Sequence, residues 1–352
     1  MRGLRARTMR QPRLLFIGPI MPPKGGVSVH IDRLAALLRD DYAVSFLDES
    51  RQVKDSVPNI RKMSPLTYLK TILRADVVHV HSFSGLLKLW HVLWSRLLHK
   101  RVVLTVHSVM SSGLAANVLL TISSRLAHTV VAVSDKVSQS IGARSKVLPA
   151  FIPPAQSELA VSPQVSEWIA AKQAEGRFVF ASNAYRLEQY QGQDLYGLDL
   201  IIDAFSQDPI ARRCACVFII GAPDDEPAAL QAYQALIAQR GMGGFFLLHT
   251  KAENFAGVAA VSDGTIRATN YDGDALSIRE SLHLGKLTIA SDAAQRPEGT
   301  RTFKSRDAQS LADAMISSIG HSASGQTAAA SPPNYRDLYV GLYGGGQRSP
   351  IH

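Results

Sequence analysis

The sequence holds no stretch approaching the roughly 18 consecutive apolar residues that a membrane-spanning helix needs, so no segment of it is expected to cross a bilayer. The opening Met1–Arg13 is basic and leads into Leu14–Ile17, an apolar run too short for a signal-peptide core and better read as a strand. Cysteine is almost absent. Cys214 and Cys216 stand two apart in an apolar run, on one face of a predicted strand, too close in sequence for an easy disulfide and without further ligands for a metal. They are read as buried thiols in a reducing cytoplasm. Charged residues are also sparse, at 19% against 46% hydrophobic, which excludes a disordered chain.

Acidic residues are scarce in one half only. Residues 1–150 carry 22 Lys+Arg and 8 Asp+Glu, or +14; residues 151–352 carry 16 and 21, or −5, and the two sum to the net +9 of the chain. A basic first half suggests an anionic partner such as a phosphate-bearing substrate or an anionic membrane surface. Nucleic acid is not expected, because the basic residues are not interleaved with aromatics in any recognition motif.

With 352 residues the chain fits two domains. Short β-rich runs alternate with helical segments in both halves, which predicts an α/β protein with parallel sheets covered on both faces. In the first half, strands are expected at 13–18, 43–47, 77–81, 102–106, 129–133 and 146–148, with helices at 27–39, 86–98 and 114–127. Pro149, Pro153 and Pro154 mark a linker. Beyond it, strands are expected at 178–182, 215–221, 245–248, 265–268 and 287–291. Helices are expected at 198–205, 227–240, 277–284 and 308–319. The predicted domains are 1–152 and 153–320, followed by a Ser/Ala/Gly/Pro-rich connector and a frayed tail over 321–352.

Three segments have the residues for chemistry. Gly25 and Gly26 lie at the first strand-to-helix turn, where missing side chains let backbone amides approach an anion. The turn matches neither a dinucleotide fingerprint nor a P-loop. His79 and His81 alternate along a strand, and His107 ends the strand at 102–106. Strand C-terminal ends are where open parallel sheets bind ligands, and no carboxylate or cysteine cluster accompanies the histidines, so no metal is expected. The third segment, Thr269 to Glu280, is an acidic loop that passes into a helix. Asp272 and Glu280 are eight apart, one in the loop and one in the helix, and carboxylates suit sugar hydroxyls because each accepts several hydrogen bonds. Gly273 and the helix start offer amides to a phosphate or a sugar oxygen. An acidic loop that merely caps a helix is the alternative.

The spacing Asp272–x7–Glu280 resembles the acidic pair in the second domain of GT-B retaining glycosyltransferases of family 4, where the first position is usually Glu. Arg267-Ala268-Thr269, Asp272-Gly273-Asp274, Ser277 and Arg279-Glu280 are similar to a variant found among bacterial surface-polysaccharide transferases. Gly25-Gly26 with His30, Ala75–His81, Thr105-Val106-His107 and Val131–Ser134 resemble the first-domain motifs of the same family. The likeness runs from about residue 14 to about residue 315.

The resemblance implies two Rossmann-like domains with parallel sheets facing a central cleft, and a nucleotide sugar held mainly by the second domain. Glu280 would bind the ribose. Asp272, with the backbone amides of Asp274, Ala275, Leu276 and Ser277, would hold the donor sugar. His107 would reach that sugar from the first domain, and Gly25 and Gly26 would admit the diphosphate and the acceptor. Asn183 and Arg186 are counted with the donor-binding residues. The implied activity is transfer, with retention of configuration, to a glycan or lipid-linked acceptor. It would need neither cofactor nor metal, and would take place in the cytoplasm or on the inner face of its membrane.

One departure matters: family members carry a Lys directly before a helix-opening Gly, to clamp the diphosphate, and here Tyr196 precedes Gly197. Arg186 and Arg279 are candidate replacements. The departure keeps an inactive sugar-nucleotide-binding scaffold as an alternative, beside a GT-B nucleotide-sugar epimerase. The segment 86–98, rich in Leu, Trp and basic residues, reads as a helix whose apolar face covers the sheet, with adsorption to an anionic bilayer as the alternative.

Overall fold

The computed structural model describes residues 10–22, 25–107, 114–141, 144–251, 253–319 and 333–344. The chain divides into two compact units, one made of residues 1–152 with 333–352, the other of residues 153–332.

The first unit is a six-stranded parallel sheet with its helices on both faces. Its chain order is β1 (Arg13–Gly18), α1 (Gly26–Leu38), β2 (Ala43–Asp48), α2 (Pro65–Arg74), β3 (Val77–Val80), α3 (Gly85–Leu97), β4 (Arg101–Val106), α4 (Leu114–Leu126), β5 (Thr129–Ala132), α5 (Asp135–Ser140) and β6 (Lys146–Val147). The strand order is β2-β1-β3-β4-β5-β6. The strands read as unbroken apolar runs because both faces are covered: Leu14, Phe16, Val78 and Leu104 are all fully buried. Leu15, Ile17, Val80 and Leu104 form one core with Tyr68 and Ile72 of α2, Val92 of α3 and Leu120 of α4.

The second unit is also built on a six-stranded parallel sheet, but two strands rather than one flank its first strand on the outer side. It runs α6 (Pro163–Ala174), β7 (Phe178–Ala184), a hairpin of β8 (Gln189–Tyr190) and β9 (Gln193–Asp194), α7 (Leu198–Phe205), α8 (Asp208–Arg213), β10 (Cys214–Ile220), α9 (Pro227–Gln239), β11 (Phe246–His249), α10 (Phe255–Val261), β12 (Gly264–Arg267), α11 (Leu276–His283), β13 (Leu287–Ser291), β14 (Arg301–Phe303) and α12 (Ala308–Ile319). Its sheet is ordered β11-β10-β7-β12-β13-β14, and every pairing within it is parallel. Cys214 and Cys216 are free and buried in β10, as their spacing in an apolar strand predicts.

Two expectations need correction. The tail predicted over 321–352 includes a helix, α13 (Tyr335–Leu342), which belongs to the first unit. Tyr335, Tyr339 and Leu342 are buried, the Tyr343 hydroxyl meets His79 Nδ1 at 2.7 Å, and the Arg101 guanidinium donates to the carbonyl of Leu342. Tyr335 and Tyr339 at i and i+4 of this eight-residue helix, with Tyr343 as its C-cap at i+8, are enough to bury one face against α1 and the sheet. Residues 321–332 and 345–352 of that predicted tail lie outside the described residues.

The second correction concerns α3. Its fully buried positions are Lys88, His91, Val92 and Ser95, whereas Leu86, Trp90, Leu93 and Leu97 face outward. Only Val92, with Trp94 and Leu98, covers the sheet as expected.

Candidate functional site

The second unit gathers its polar side chains at the C-terminal ends of β7, β12 and β13, the edge where open parallel sheets place ligands. Arg267 closes β12, and the chain then runs through Thr269 and Asp272 into α11. Asp272 is enclosed there. Its Oδ2 accepts from Arg267 Nε at 3.1 Å, Thr269 Oγ1 at 2.9 Å and Arg296 Nη1 at 3.0 Å, while Oδ1 accepts from the Gly273 amide at 3.0 Å. Burial alone would raise its pKa, but the two guanidiniums and their hydrogen bonds bring the carboxyl below its ordinary value. Arg296 is fixed in turn, donating to the carbonyl and hydroxyl of Ser291 and to Thr269 Oγ1.

Arg267 has a second partner. Its guanidinium carbon lies 5.1 Å from the centre of the Tyr196 ring, over the face of the residue that replaces the expected lysine. Tyr196 therefore leaves a cation at this place, supplied from β12 rather than from the helix-opening position. The turn before α7 is pinned by Asp194, whose Oδ1 accepts the amides of Tyr196 and Gly197 at 2.8 Å each and whose Oδ2 accepts from the Tyr233 hydroxyl at 2.6 Å. Gly197 has φ 70°, and a Cβ there would stand 2.3 Å from the carbonyl oxygen of Ala268, so this turn requires glycine.

The predicted donor-binding residues divide into three groups. Asp274, Ala275, Leu276, Ser277 and Glu280 are contiguous with Asp272. Ala275 is the N-cap of α11 and supplies no side-chain cap; the Ile278 amide bonds the Ala275 carbonyl at 3.1 Å, which leaves Leu276 and Ser277 as the amides at the helix start without an N-cap acceptor. Glu280 is buried in the next turn, at 4% exposure. Asp274 Oδ1 accepts from Arg279 Nε at 2.6 Å, which commits that arginine to the loop. Asn183, at the end of β7, joins this group: its carbonyl accepts a long 3.5 Å bond from Arg267, and its buried side-chain Oδ1 has no partner. Arg186 does not join it, because its guanidinium pairs with Glu188 on the surface. Gly273 does not offer its amide either, since Asp272 takes it.

The remaining candidates lie in the first unit. His107 follows β4 and its Nε2 meets His81 Nδ1 at 2.9 Å. His30, one turn into α1, has its ring centre 5.6 Å from that of His107. Gly25 is the N-cap of this helix, and its amide donates to Ser28 Oγ at 2.9 Å. Gly26 follows as the first helical residue, with open space where a side chain would stand. His79 bridges Thr105 Oγ1 at 2.8 Å and the Tyr343 hydroxyl. Burial drives His30 down to about 4 and His79, His81 and His107 well below their ordinary value, so all four are neutral at pH 7. Among the described residues, no three His, Cys, Asp or Glu side chains are arranged to hold a metal ion. Nearby, the Tyr68 hydroxyl, His91 and Glu49 form a buried chain, with 2.9 Å to Nδ1 and 2.8 Å from Nε2 to the carboxylate.

Arg296, Tyr233 and Tyr343 carry no local motif, and sequence reasoning misses them. Arg267 carries one weak signal, a lone cation at the end of an otherwise apolar strand.

No family model matches the sequence, and no curated protein matches it. Solved structures do. HepE of Anabaena in complex with UDP and glucose superposes with a TM-score of 0.69 at 14% identity, over 94% of this chain and 95% of that one. A glycosyltransferase from Rickettsia africae gives 0.65 at 16% identity, over 89% of each chain. The catalytic domain of starch synthase IV from Arabidopsis thaliana, bound to ADP and acarbose, gives 0.63 at 13%, over 95% of this chain and 99% of that one. Two units that each carry a parallel six-stranded sheet, similar over their length to these proteins, give the chain the GT-B fold.

Proposed function

We propose that the chain is a glycosyltransferase that takes a sugar from a nucleotide sugar, as a member of family 4. One observation carries the reading. In a GT-B fold, the loop from Arg267 to Glu280 joins a stacked guanidinium, an uncapped helix start and a buried glutamate at the C-terminal edge of the second unit's sheet. These are the groups a sugar nucleotide needs: a cation and free amides for the diphosphate, and a carboxylate for the ribose hydroxyls. The structures of HepE hold UDP, UDP with glucose, and UDP-glucose, which favours a uridine donor.

In this reading Glu280 binds the ribose, and the amides at Ala275–Ser277 with Arg267 hold the diphosphate. Asp272 orients Arg267 and Arg296 through Oδ2, and its Oδ1, which accepts one bond from the Gly273 amide, has a lone pair left for a hydroxyl of the donor sugar. Transfer proceeds with retention. The bond from the anomeric carbon to the diphosphate breaks, the acceptor oxygen bonds to that carbon on the same face, and the acceptor proton passes to the departing phosphate oxygen. His107, neutral, acts as a hydrogen-bonding group of the first unit. No metal is needed, since cationic and amide groups meet the charge that develops on the leaving group. The acceptor is a glycan or a lipid-linked sugar of a surface-polysaccharide pathway.

The test is NMR of the purified chain with UDP-sugars. Release of UDP that persists in EDTA, and a product with the donor's anomeric configuration, is the expected result. A bound donor that stays intact in the presence of glycan acceptors would make the chain a binding scaffold. Conversion of the sugar itself without an acceptor would make it an epimerase. Activity lost in EDTA and restored by manganese would contradict metal independence.

A further inference from the structure

The helices α2, α3 and α4 have an unusual orientation. α3 and α4 bury serines, a lysine and a histidine, namely Lys88, His91 and Ser95 of α3 and Ser123 and Ser124 of α4. On the outside stand Leu86 (71% exposed) and Leu97 (56%) of α3, and Leu114 (82%) and Val118 (48%) of α4. With the exposed Trp90 and Leu93 of α3 and Ile122 of α4, these positions recur every three to four residues, which lines each set along one helix face. The helices lie side by side: Gly85 of α3 approaches the Leu119 side chain of α4, and Tyr68 of α2 packs on the ring of Trp90 in α3. Ten of the thirteen exposed large apolar side chains among the described residues fall between Leu66 and Ile122.

Charge on this stretch has one sign. From Ile60 to His128 there are nine Lys and Arg and a single acid, Asp76. Asp76 is already bonded by Arg13. Lys70, Arg74, Arg96 and Arg125 stand exposed on the same three helices as the leucines. None of these helices is long and apolar enough to cross a membrane.

We propose that the outer face of α2–α4 is a membrane-contact surface that docks sideways on an anionic bilayer. Apolar side chains enter the acyl boundary, and the basic residues between them meet lipid phosphates. Exposed leucines lose their contact with water only against a partner. The exposed Lys70, Arg74, Arg96 and Arg125, with no acid on these three helices, select an anionic surface over a neutral apolar one. This inference stands apart from glycosyl transfer and holds even if the chain transfers no sugar.

The experiment is co-sedimentation of the full chain with vesicles of phosphatidylcholine, with and without phosphatidylglycerol, at low and raised salt. It is run on the native chain and on two double variants at exposed positions, Leu97→Ser/Val118→Ser and Arg74→Glu/Arg96→Glu. Binding should require phosphatidylglycerol, weaken with salt, and fall by about tenfold or more in each variant. Fluorescence of the outward-facing Trp90 should be quenched by brominated lipid in the native chain, a readout independent of pelleting. Equal binding to both vesicle types, no binding, or binding indifferent to both variants would overturn the proposal. So would self-association without lipid that Leu97→Ser/Val118→Ser removes, which would make the face a contact between copies of the chain.

Discussion

Both units carry a six-stranded parallel sheet, with different strand orders, and they furnish its C-terminal edge in different ways. Past its central strands the first unit uses neutral groups: His30, His79, His81 and His107 form a cluster of contacting rings, discharged by burial and tied to Tyr339, Tyr343 and Thr105, and the buried Asp48–Lys54 pair stands apart at the end of β2. The second unit uses charges, with Arg267 and Arg296 closing on Asp272, and Arg279 on Asp274. The outsides differ as well, since Val261 is the single exposed large apolar side chain among the second unit's described residues. A repeated architecture thus fixes where a site lies and leaves its chemistry to a few residues at the strand ends.

The sharpest way to break this contrast is Asp272→Ala. It leaves Arg267 and Arg296 facing each other without their carboxylate, and removing one partner from a buried ion pair costs about 3–5 kcal/mol. The loss should fall on the second unit alone, read by hydrogen exchange resolved along the chain. Equal loss of protection in both units would mean that they do not unfold separately.

Acid should do the reverse. The folded pKa of His30, about 4, lies below its ordinary value of 6.5, so between these the unfolded chain binds more protons. Its contribution is complete above 6.5 and is lost as pH falls toward 4, by about 1.4 kcal/mol per pH unit. His79, His81 and His107 shift in the same direction. Asp272, held below 3.8, keeps its charge through this range and gives way only as pH falls through that lower value. Urea unfolding followed by exchange at about pH 7 and about pH 5 should therefore show the first unit weakening first. A second unit that weakens as much would contradict the assignment of neutral and charged clusters.

The smallest expected effect is Tyr343→Phe. It deletes the hydroxyl on His79 and should cost about 1 kcal/mol, with α13 losing exchange protection before the strands do. An unchanged α13 would show that apolar packing alone holds it.

Most of the fold is legible in the sequence. Continuous apolar runs, separated by helical spacings, mark all six strands of the first sheet and five of the six in the second, to within a residue or two at most ends. The short strands β8, β9 and β14 escape, as do the helices α2, α5, α8 and α10; α6 has little amphipathic contrast, and α13 lies beyond a low-complexity stretch that reads as a tail. The acidic loop at 269–280 is legible as a site candidate, because two carboxylates and a helix start are local features. Its wiring is not. Arg296 reaches Asp272 from 24 residues away and Arg267 reaches Tyr196 from another strand, and such pairings exist only once the sheet has formed. For the same reason Arg279 and Arg186 look available in the sequence, yet each is paired with a neighbouring carboxylate. The orientation of α3 was illegible too, since a helix with apolar residues on several sides does not declare which side is inward.

Glycosyl transfer by this chain requires a nucleotide sugar to bind the second unit between Arg267 and Glu280. The direct test is a thermal-shift panel of nucleotide sugars, on the native chain and on Glu280→Ala, with hydrogen exchange to locate the protected segment. One donor should stabilise the native chain, protect the start of α11, and lose its effect in Glu280→Ala. Stabilisation that survives Glu280→Ala, or no response to any nucleotide sugar, would contradict it.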